Sequence, residues 1–260
     1  MALGAHHREV KQLKGWLRDK DARNDDRVFI VEGPRALLTL MHRGIAPRSV
    51  LVDADRDVPP GIGGHVAVAY VAPGVLSSIS DTRNSQGIVA VFDRVRPEET
   101  LVAVSEARSL VVLPRINDPG NLGTIARSAQ AAGFGGIVIG PGSVDPYNPK
   151  TVRAGAGAVG SLPILSVEKE TELQASLDQV SQRGGLCLGA AASGEIRLED
   201  APLCTTPLAL VIGHETAGIE AIRVDGTVSI PMASGTESLN VAMAATILCF
   251  ETARRQRELD

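Results

Sequence analysis

Residues 228–256, VSIPMASGTESLNVAMAATILCFETARRQ, decide how the rest of the chain is read. The stretch ending in SIPM predicts a buried strand, and ASGTE, small and polar, predicts a loop. From Ser238 onward Val241, Ala245, Leu248 and Cys249 recur at helical spacing, so a long final helix is expected to begin there. Ser238 and Asn240 are good N-cap candidates, and taken alone both are capping residues. The small residues Ala242, Ala244, Ala245, Thr246 and Ala253 permit close approach of another helix, which suits a core and a dimer seam equally.

Working upstream from this segment, strand and helix alternate back to residue 101. SLVVLP, GGIVIG, GLCLGA, LALVIG and TVSIPM read as strands, with helices expected from about Asn121, near 149–157 and over 170–183. Apolar strands separated by helices imply a mostly parallel sheet covered on both faces. Nearer the start, residues 6–20 read as a basic amphipathic helix, with Val10, Leu13, Trp16 and Leu17 set among Arg8, Lys11, Lys14 and Arg18. VFIVEG, SVLVD, VAVAYVA and GIVAVF supply strands, and ALLTLMHRG a helix ending at Gly44, so residues 1–95 predict a small α/β sandwich. The charged, Pro-containing DRVRPEET (93–100) reads as the linker. The expected organisation is therefore a domain over 1–95, a linker and entry over 96–108, and a second domain over 109–260.

Composition narrows the function. With 260 residues, 44% hydrophobic and 22% charged, the chain can build a sizeable core, and no apolar run reaches the ~20 residues a bilayer-spanning helix requires. Aromatic residues make up 3%, too few for a multi-aromatic base-stacking platform, which excludes an RRM-like reading. Cys187, Cys204 and Cys249 form no CxxC pair and have no histidine at metal spacing, so no metal site is expected and the thiols read as reduced. The first residues carry no signal-peptide-like apolar stretch, and a cytoplasmic location is expected. Formal charge is −4, yet residues 1–50 hold ten Lys/Arg against six Asp/Glu. That basic segment suits phosphate contacts, and charge alone equally allows a solvated helix face.

A parallel sheet invites a nucleotide at the carboxyl ends of its strands, so glycine-rich turns are the first test. GFGGIVIG places its glycines before a strand, GAGAVG follows no strand, and no P-loop exists, which argues against ordinary Rossmann binding. Three segments remain where strands end in polar residues that packing does not require. LPRINDPGNLGTIARSAQAAGF (113–134) is a turn and a capped helix burying Leu122, Ile125, Ala126 and Ala129, with Arg127 off that stripe. By itself Arg127 is a solvated arginine. LALVIGHETAGI (208–219) is an apolar strand stopped by Gly213, where a ligand can approach the backbone, then His214 and Glu215. Glu215 alone is a first-turn charge favoured by the helix dipole, and His214 has no second ligand at metal spacing. The third is the opening segment, 228–256.

Together and in this order, NDPGNLGTIAR, LVIGHETAGI and SIPMASGTESLNVAMA closely resemble motifs one, two and three of the SpoU, or TrmH-type, branch of the SPOUT RNA methyltransferases. The likeness spans about residues 110–256. VFIVEGPRALL and SQGIVAVF resemble, less diagnostically, the L30e-like substrate-binding domain of members acting on ribosomal RNA.

The resemblance implies an α/β fold whose C-terminal segment is threaded as a deep trefoil knot, a rare exception to unknotted topology, preceded by a small L30e-like α/β domain. It implies a homodimer that binds S-adenosylmethionine largely through backbone groups. Matching positions for the cofactor are Gly213, Ile230, Met232 and Leu239. The implied reaction is methyl transfer to a ribose 2′-hydroxyl, with 23S ribosomal RNA favoured. Arg127 takes the leading catalytic role, Asn117 shapes the site, Glu215 orients motif two or Arg127, and Ser238 with Asn240 holds the ribose or the cofactor loop. With few aromatics, phosphate recognition falls to the basic segment, and Lys11, Lys14, Arg18 and Arg35 are the expected RNA contacts with Arg153, which reads more simply as a surface arginine. The alternatives are a transfer-RNA 2′-O-methyltransferase, a knotted RNA-binding protein without catalysis, and a small-molecule enzyme with a nucleotide cofactor on an ordinary Rossmann sheet.

Overall fold

The computed structural model describes residues 2–62, 64, 66–81, 85–213, 219, 222–233 and 238–258. The chain runs through α1 (Arg8–Arg18), α2 (Lys20–Asp26), β1 (Val28–Glu32), α3 (Pro34–His42), β2 (Ser49–Asp53) and β3 (Ala67–Val71). It continues as α4 (Val75–Ile79), β4 (Ile88–Asp93), α5 (Pro97–Glu106), β5 (Ser109–Leu113), α6 (Pro119–Ala131), β6 (Gly136–Ile139), α7 (Pro149–Gly155) and α8 (Ala158–Ser161). The remainder is β7 (Ile164–Ser166), α9 (Glu170–Gln182), β8 (Leu186–Ala190), β9 (Ile196–Arg197), β10 (Leu208–Ile212), β11 (Gly226–Ser229) and α10 (Val241–Arg257). These gather into two compact units, Met1–Arg94 with Asp145–Ser161, and Val95–Val144 with Leu162–Asp260.

The first unit is built on a sheet of order β1-β4-β2-β3, in which β4 is antiparallel to both its neighbours and β2 is parallel to β3. Val10, Leu13, Trp16 and Leu17 form one stripe along α1 and are buried against Val28, Ile30, Leu51, Val89 and Val91. The opposite face carries Phe29 stacked on Phe92, ring centroids 5.2 Å apart. Side chains alternate across a pleated strand, which is why 28 and 30 meet one layer and 29 the other.

The cover of that second face corrects the boundary drawn from sequence. Asp145–Ser161, expected within the domain over 109–260, packs with the first unit. Its Tyr147 lies 5.7 Å from Phe29 and under the Arg94 guanidinium, 4.1 Å from the ring centroid. Arg23, 3% exposed, donates to the Asp145 carboxylate at 2.5 Å and to the Trp16 carbonyl at 2.6 Å. A buried guanidinium needs a carboxylate, and the nearest one in space comes from 122 residues away. DRVRPEET also differs from a plain linker. Pro97 stands at the first position of α5 and Glu98 and Glu99 in its first turn, both of which favour a helix start.

The second unit holds a sheet of order β7-β6-β5-β10-β8-β11-β9, and every pairing in it is parallel. Val104 of α5 and Leu173, Leu177 and Val180 of α9 cover one face, over Leu110, Val112, Val138, Ala209 and Val211. On the other side α6 and α10 pack against one another, with the Ser128 and Thr246 hydroxyls 2.7 Å apart. The final helix begins later than Ser238: Asn240 is its N-cap, accepting the Ala242 N–H at 2.9 Å from an extended backbone.

Removing the Arg23 guanidinium while leaving Asp145 buried should destabilise the protein by about 3–5 kcal/mol. Arg23→Met is expected to shift the denaturant midpoint accordingly, and Arg23→Met with Asp145→Leu to recover most of the loss. A double variant no more stable than the single one would show that the 145–161 segment is held by other contacts.

Candidate functional site

Because the second unit's strands all run one way, their carboxyl ends share one edge, and the loops leaving it build a cleft of about 250 Å³. Ala190–Ala192 leave β8 and Ile212–Gly213 end β10 on one side. Ile230, Met232, Ser238 and Leu239, which follow β11 and lead into α10, line the other. The walls are thus small and apolar side chains together with strand-end backbone. Gly213, Ile230, Met232 and Leu239, all singled out from sequence, line this single cavity.

Beside the cleft the starts of α6 and α10 meet. The Asn240 side-chain amide donates to Asn121 Oδ1 at 3.2 Å, joining motifs one and three. Asp118 caps α6, its Oδ1 accepting the Asn121 N–H at 2.7 Å, so the Asn121 backbone is fixed while its side chain reaches Asn240. Asn117 stands exposed just ahead of that cap and accepts a long 3.4 Å hydrogen bond from Arg115 Nε. Arg127 is exposed on α6, off the buried stripe of Leu122, Ile125, Ala126 and Ala129, and no carboxylate among the described residues neutralises it. Glu215 and His214 lie outside the described residues.

The remaining candidates belong to the first unit. Lys11, Lys14, Arg18 and Arg35 are exposed there. Arg153, on α7, is engaged by Glu32 at 2.6 Å, with side-chain exposures of 28% and 9%. It therefore packs within the first unit through a carboxylate at the end of β1.

Two features escaped the sequence reading. Asn121 looked like a turn residue because its partner lies 119 residues away, and Ala190–Ala192 looked like the tail of an apolar strand. The only signals were a polar side chain in a first helical turn and a run of small residues where a parallel strand stops. Thiol chemistry finds no support here. Burial pushes the Cys187 thiol up to about 11 and Cys249 up to about 12, so both stay protonated at neutral pH. Among the described residues no cluster of three or more His, Cys, Asp or Glu can hold a metal ion.

Comparison with known proteins agrees with this geometry. Residues 108–250 match the SpoU rRNA Methylase family and residues 7–90 the MRM3-like substrate binding domain. The chain is 29% identical to the 23S rRNA (guanosine(2553)-2'-O)-methyltransferase RlmP of Bacillus subtilis (strain 168), over 92% of this chain and 95% of that protein. It is 30% identical to a 23S rRNA (uridine(2479)-2'-O)-methyltransferase of Streptomyces viridochromogenes, over 98% and 92%. The SpoU methyltransferase AviRb from Streptomyces viridochromogenes, solved in complex with AdoMet, superposes with a TM-score of 0.83 at 27% identity, covering 97% of this chain and 99% of that one. An AdoMet-bound rRNA methyltransferase from Sinorhizobium meliloti superposes with a TM-score of 0.78 at 27% identity, each chain covered to 97%.

Proposed function

The chain belongs to the SpoU rRNA methylase family, and from that premise we propose that it transfers a methyl group from S-adenosylmethionine to a ribose 2′-hydroxyl of 23S ribosomal RNA. The observation that carries this reading is the cleft at the strand ends, where Gly213, Ile230, Met232 and Leu239 meet beside the Asn121–Asn240 pair. Its donor set fits the cofactor. Small apolar walls accept an adenine and a methionine chain, and strand-end amides and carbonyls accept their polar edges. Bound there, S-adenosylmethionine supplies an electrophilic methyl on a sulfonium sulfur.

The chain's own residues must then align the ribose oxygen and offset the negative charge that grows on it. A guanidinium is a poor base because its pKa exceeds 12, so Arg127 acts by charge and by its fork. It clamps the neighbouring phosphate and stabilises the incipient alkoxide, while the proton leaves to phosphate or water. Ser238 and Asn240 hold the ribose or the cofactor loop, Asn117 shapes the entrance, and Glu215 orients motif two.

The α1 helix turns Lys11, Lys14 and Arg18 to solvent while burying its apolar stripe, which supports an L30e-like RNA-binding role for the first unit. The C-terminal chain is read as a trefoil knot, a reading that follows from membership of the SpoU family. On α10, Met243, Ile247 and Phe250 are 51%, 38% and 45% exposed at helical spacing, and a second copy of the chain is the cover proposed for that stripe. A ribosomal RNA substrate supports a cytoplasmic location. Among the described residues no helix is long and apolar enough to cross a membrane.

Labelled methyl from S-adenosylmethionine is expected to enter protein-free 23S RNA and not transfer RNA. Arg127→Ala should lower the rate by about 10²–10³. Incorporation into transfer RNA alone would reassign the substrate, and no cofactor binding by calorimetry would point to a non-catalytic RNA-binding protein. Arg127→Lys keeps the charge without the fork, so undiminished turnover in that variant would rule out the bidentate clamp.

Replacing Lys11, Lys14 and Arg18 with Gln should weaken RNA binding and flatten its salt dependence by about 0.7–0.9 in log–log slope for each phosphate no longer engaged, with cofactor affinity unchanged. Equal RNA affinity in the triple variant would remove α1 from the interface.

Light scattering is expected to give twice the chain mass for the wild type and a reduced mass for Ile247→Asp with Phe250→Asp. A monomeric wild type would refute the dimer.

A further inference from the structure

We propose that Arg115 is a second phosphate-binding residue of the catalytic cleft, gripping the RNA backbone next to the nucleotide that Arg127 engages. The proposal rests on the RNA methyltransferase reading above and adds to it a residue that lies outside the set inferred from the family motifs.

Arg115 lies two residues beyond the end of β5, which pairs with β6 on one side and with the central strand β10 on the other. The β5–β10 register pairs Val112 with Val211. Parallel pairing puts the carboxyl end of β5, from which Arg115 follows, on the same edge of the sheet as the ends of β8, β10 and β11 that border the cleft. The side chain therefore leaves the sheet on the cleft's edge, beside the Asn117–Asn121 turn, whose Asn121 reaches Asn240 next to the cleft-lining Leu239.

The backbone that carries it is held on both sides. The Gly140 N–H donates to the Leu113 carbonyl at 2.8 Å, the Ile116 N–H to the Ser143 hydroxyl at 3.1 Å, and the Val144 N–H to the Ile116 carbonyl at 2.7 Å. A side chain on Gly140 would place its Cβ 2.1 Å from the Pro114 carbonyl oxygen, so β5 and β6 leave the sheet in direct backbone contact. The exposed side chain then passes Gly142, whose missing Cβ would lie 3.8 Å from Arg115 Nε and 3.9 Å from Cζ. The absence of a side chain there leaves that flank of the guanidinium open.

What the guanidinium lacks, among the described residues, is a counter-ion. Arg23, Arg153, Arg254 and Arg255 are each neutralised by a carboxylate. Arg115, like Arg127, has no ion pair among the described residues, and its hydrogen bond is the 3.4 Å contact from Nε to Asn117 Oδ1. That contact uses the inner nitrogen and leaves both Nη groups to solvent, the fork that a phosphate accepts in bidentate fashion. A rigid base, an oriented stem and a fork unneutralised among the described residues, on the cleft's edge of the sheet, are the requirements of a backbone clamp. In a protein with few aromatic side chains, phosphate contacts must carry much of the RNA affinity.

The test compares wild type with Arg115→Gln and Arg115→Lys on a 23S RNA transcript. For Arg115→Gln the KM for RNA should rise about tenfold, the salt slope of RNA binding should flatten by about 0.7–0.9, and kcat at saturating RNA and the Kd for S-adenosylmethionine should stay at wild-type values. Arg115→Lys should keep the salt slope and recover part of the affinity. Wild-type RNA affinity and salt slope in Arg115→Gln overturn the proposal, as does a loss confined to kcat or cofactor binding, which would mean that the side chain acts only through Asn117. If wild type neither binds RNA nor transfers methyl, the parent reading fails as well, whereas an active wild type with an indistinguishable Arg115→Gln sinks this inference alone.

Discussion

The parallel direction of all seven strands in the second unit is the constraint from which its site follows. Parallel pairing brings β5, β8, β10 and β11 to the same edge with their carboxyl ends together. Each return to the start of the next strand needs a crossover segment, and these cover both faces and exclude water. Loops gathered at that edge then border one cavity. The Asn121–Asn240 hydrogen bond closes this arrangement, because it ties the helix after β5 to the helix after β11 at the ends nearest the cleft.

The arginines divide between those that a carboxylate neutralises and those without one among the described residues. Arg254 and Arg255 are committed to the carboxylate of Glu251, which they hold down at about 2, and Arg255 also donates to the Ala201 and Leu198 carbonyls. That group fastens the end of α10 rather than meeting a ligand. Arg23 and Arg153 play the same part in the first unit, each tied to a carboxylate far away in sequence. Arg115, within the turn between β5 and α6, and Arg127, farther along α6, by contrast have no such partners among the described residues. A polyanion entering there meets cations whose desolvation is not already offset by protein carboxylates.

The first unit illustrates how apolar surface and one buried charge recruit chain from elsewhere. Its sheet exposes Phe29 and Phe92 on the face away from α1, and residues 1–94 alone leave that face without Tyr147 and Gly160, which press on Phe29. The Arg23–Asp145 pair specifies where the returning segment docks, because a guanidinium 3% exposed tolerates no misplacement of its carboxylate.

Strand and helix alternation, the amphipathic stripe of α1 and the burial of Val241, Ala245, Leu248 and Cys249 were all determined by the sequence alone. These are local properties, set by side-chain periodicity and by backbone punctuation, and the structure places them where periodicity puts them. The identity of four cleft residues was legible too, through motif resemblance. What only tertiary structure decided involves pairs distant along the chain: Asn121 with Asn240, Arg153 with Glu32, Arg23 with Asp145, and the placement of 145–161 on the first sheet. The start of α10 at Asn240 belongs with them, since Ser238 and Asn240 are equally good caps until the loop's path to the cleft chooses one. A single sequence records which side chains can cap, pair or pack, and only the folded chain brings each to the one partner that satisfies it.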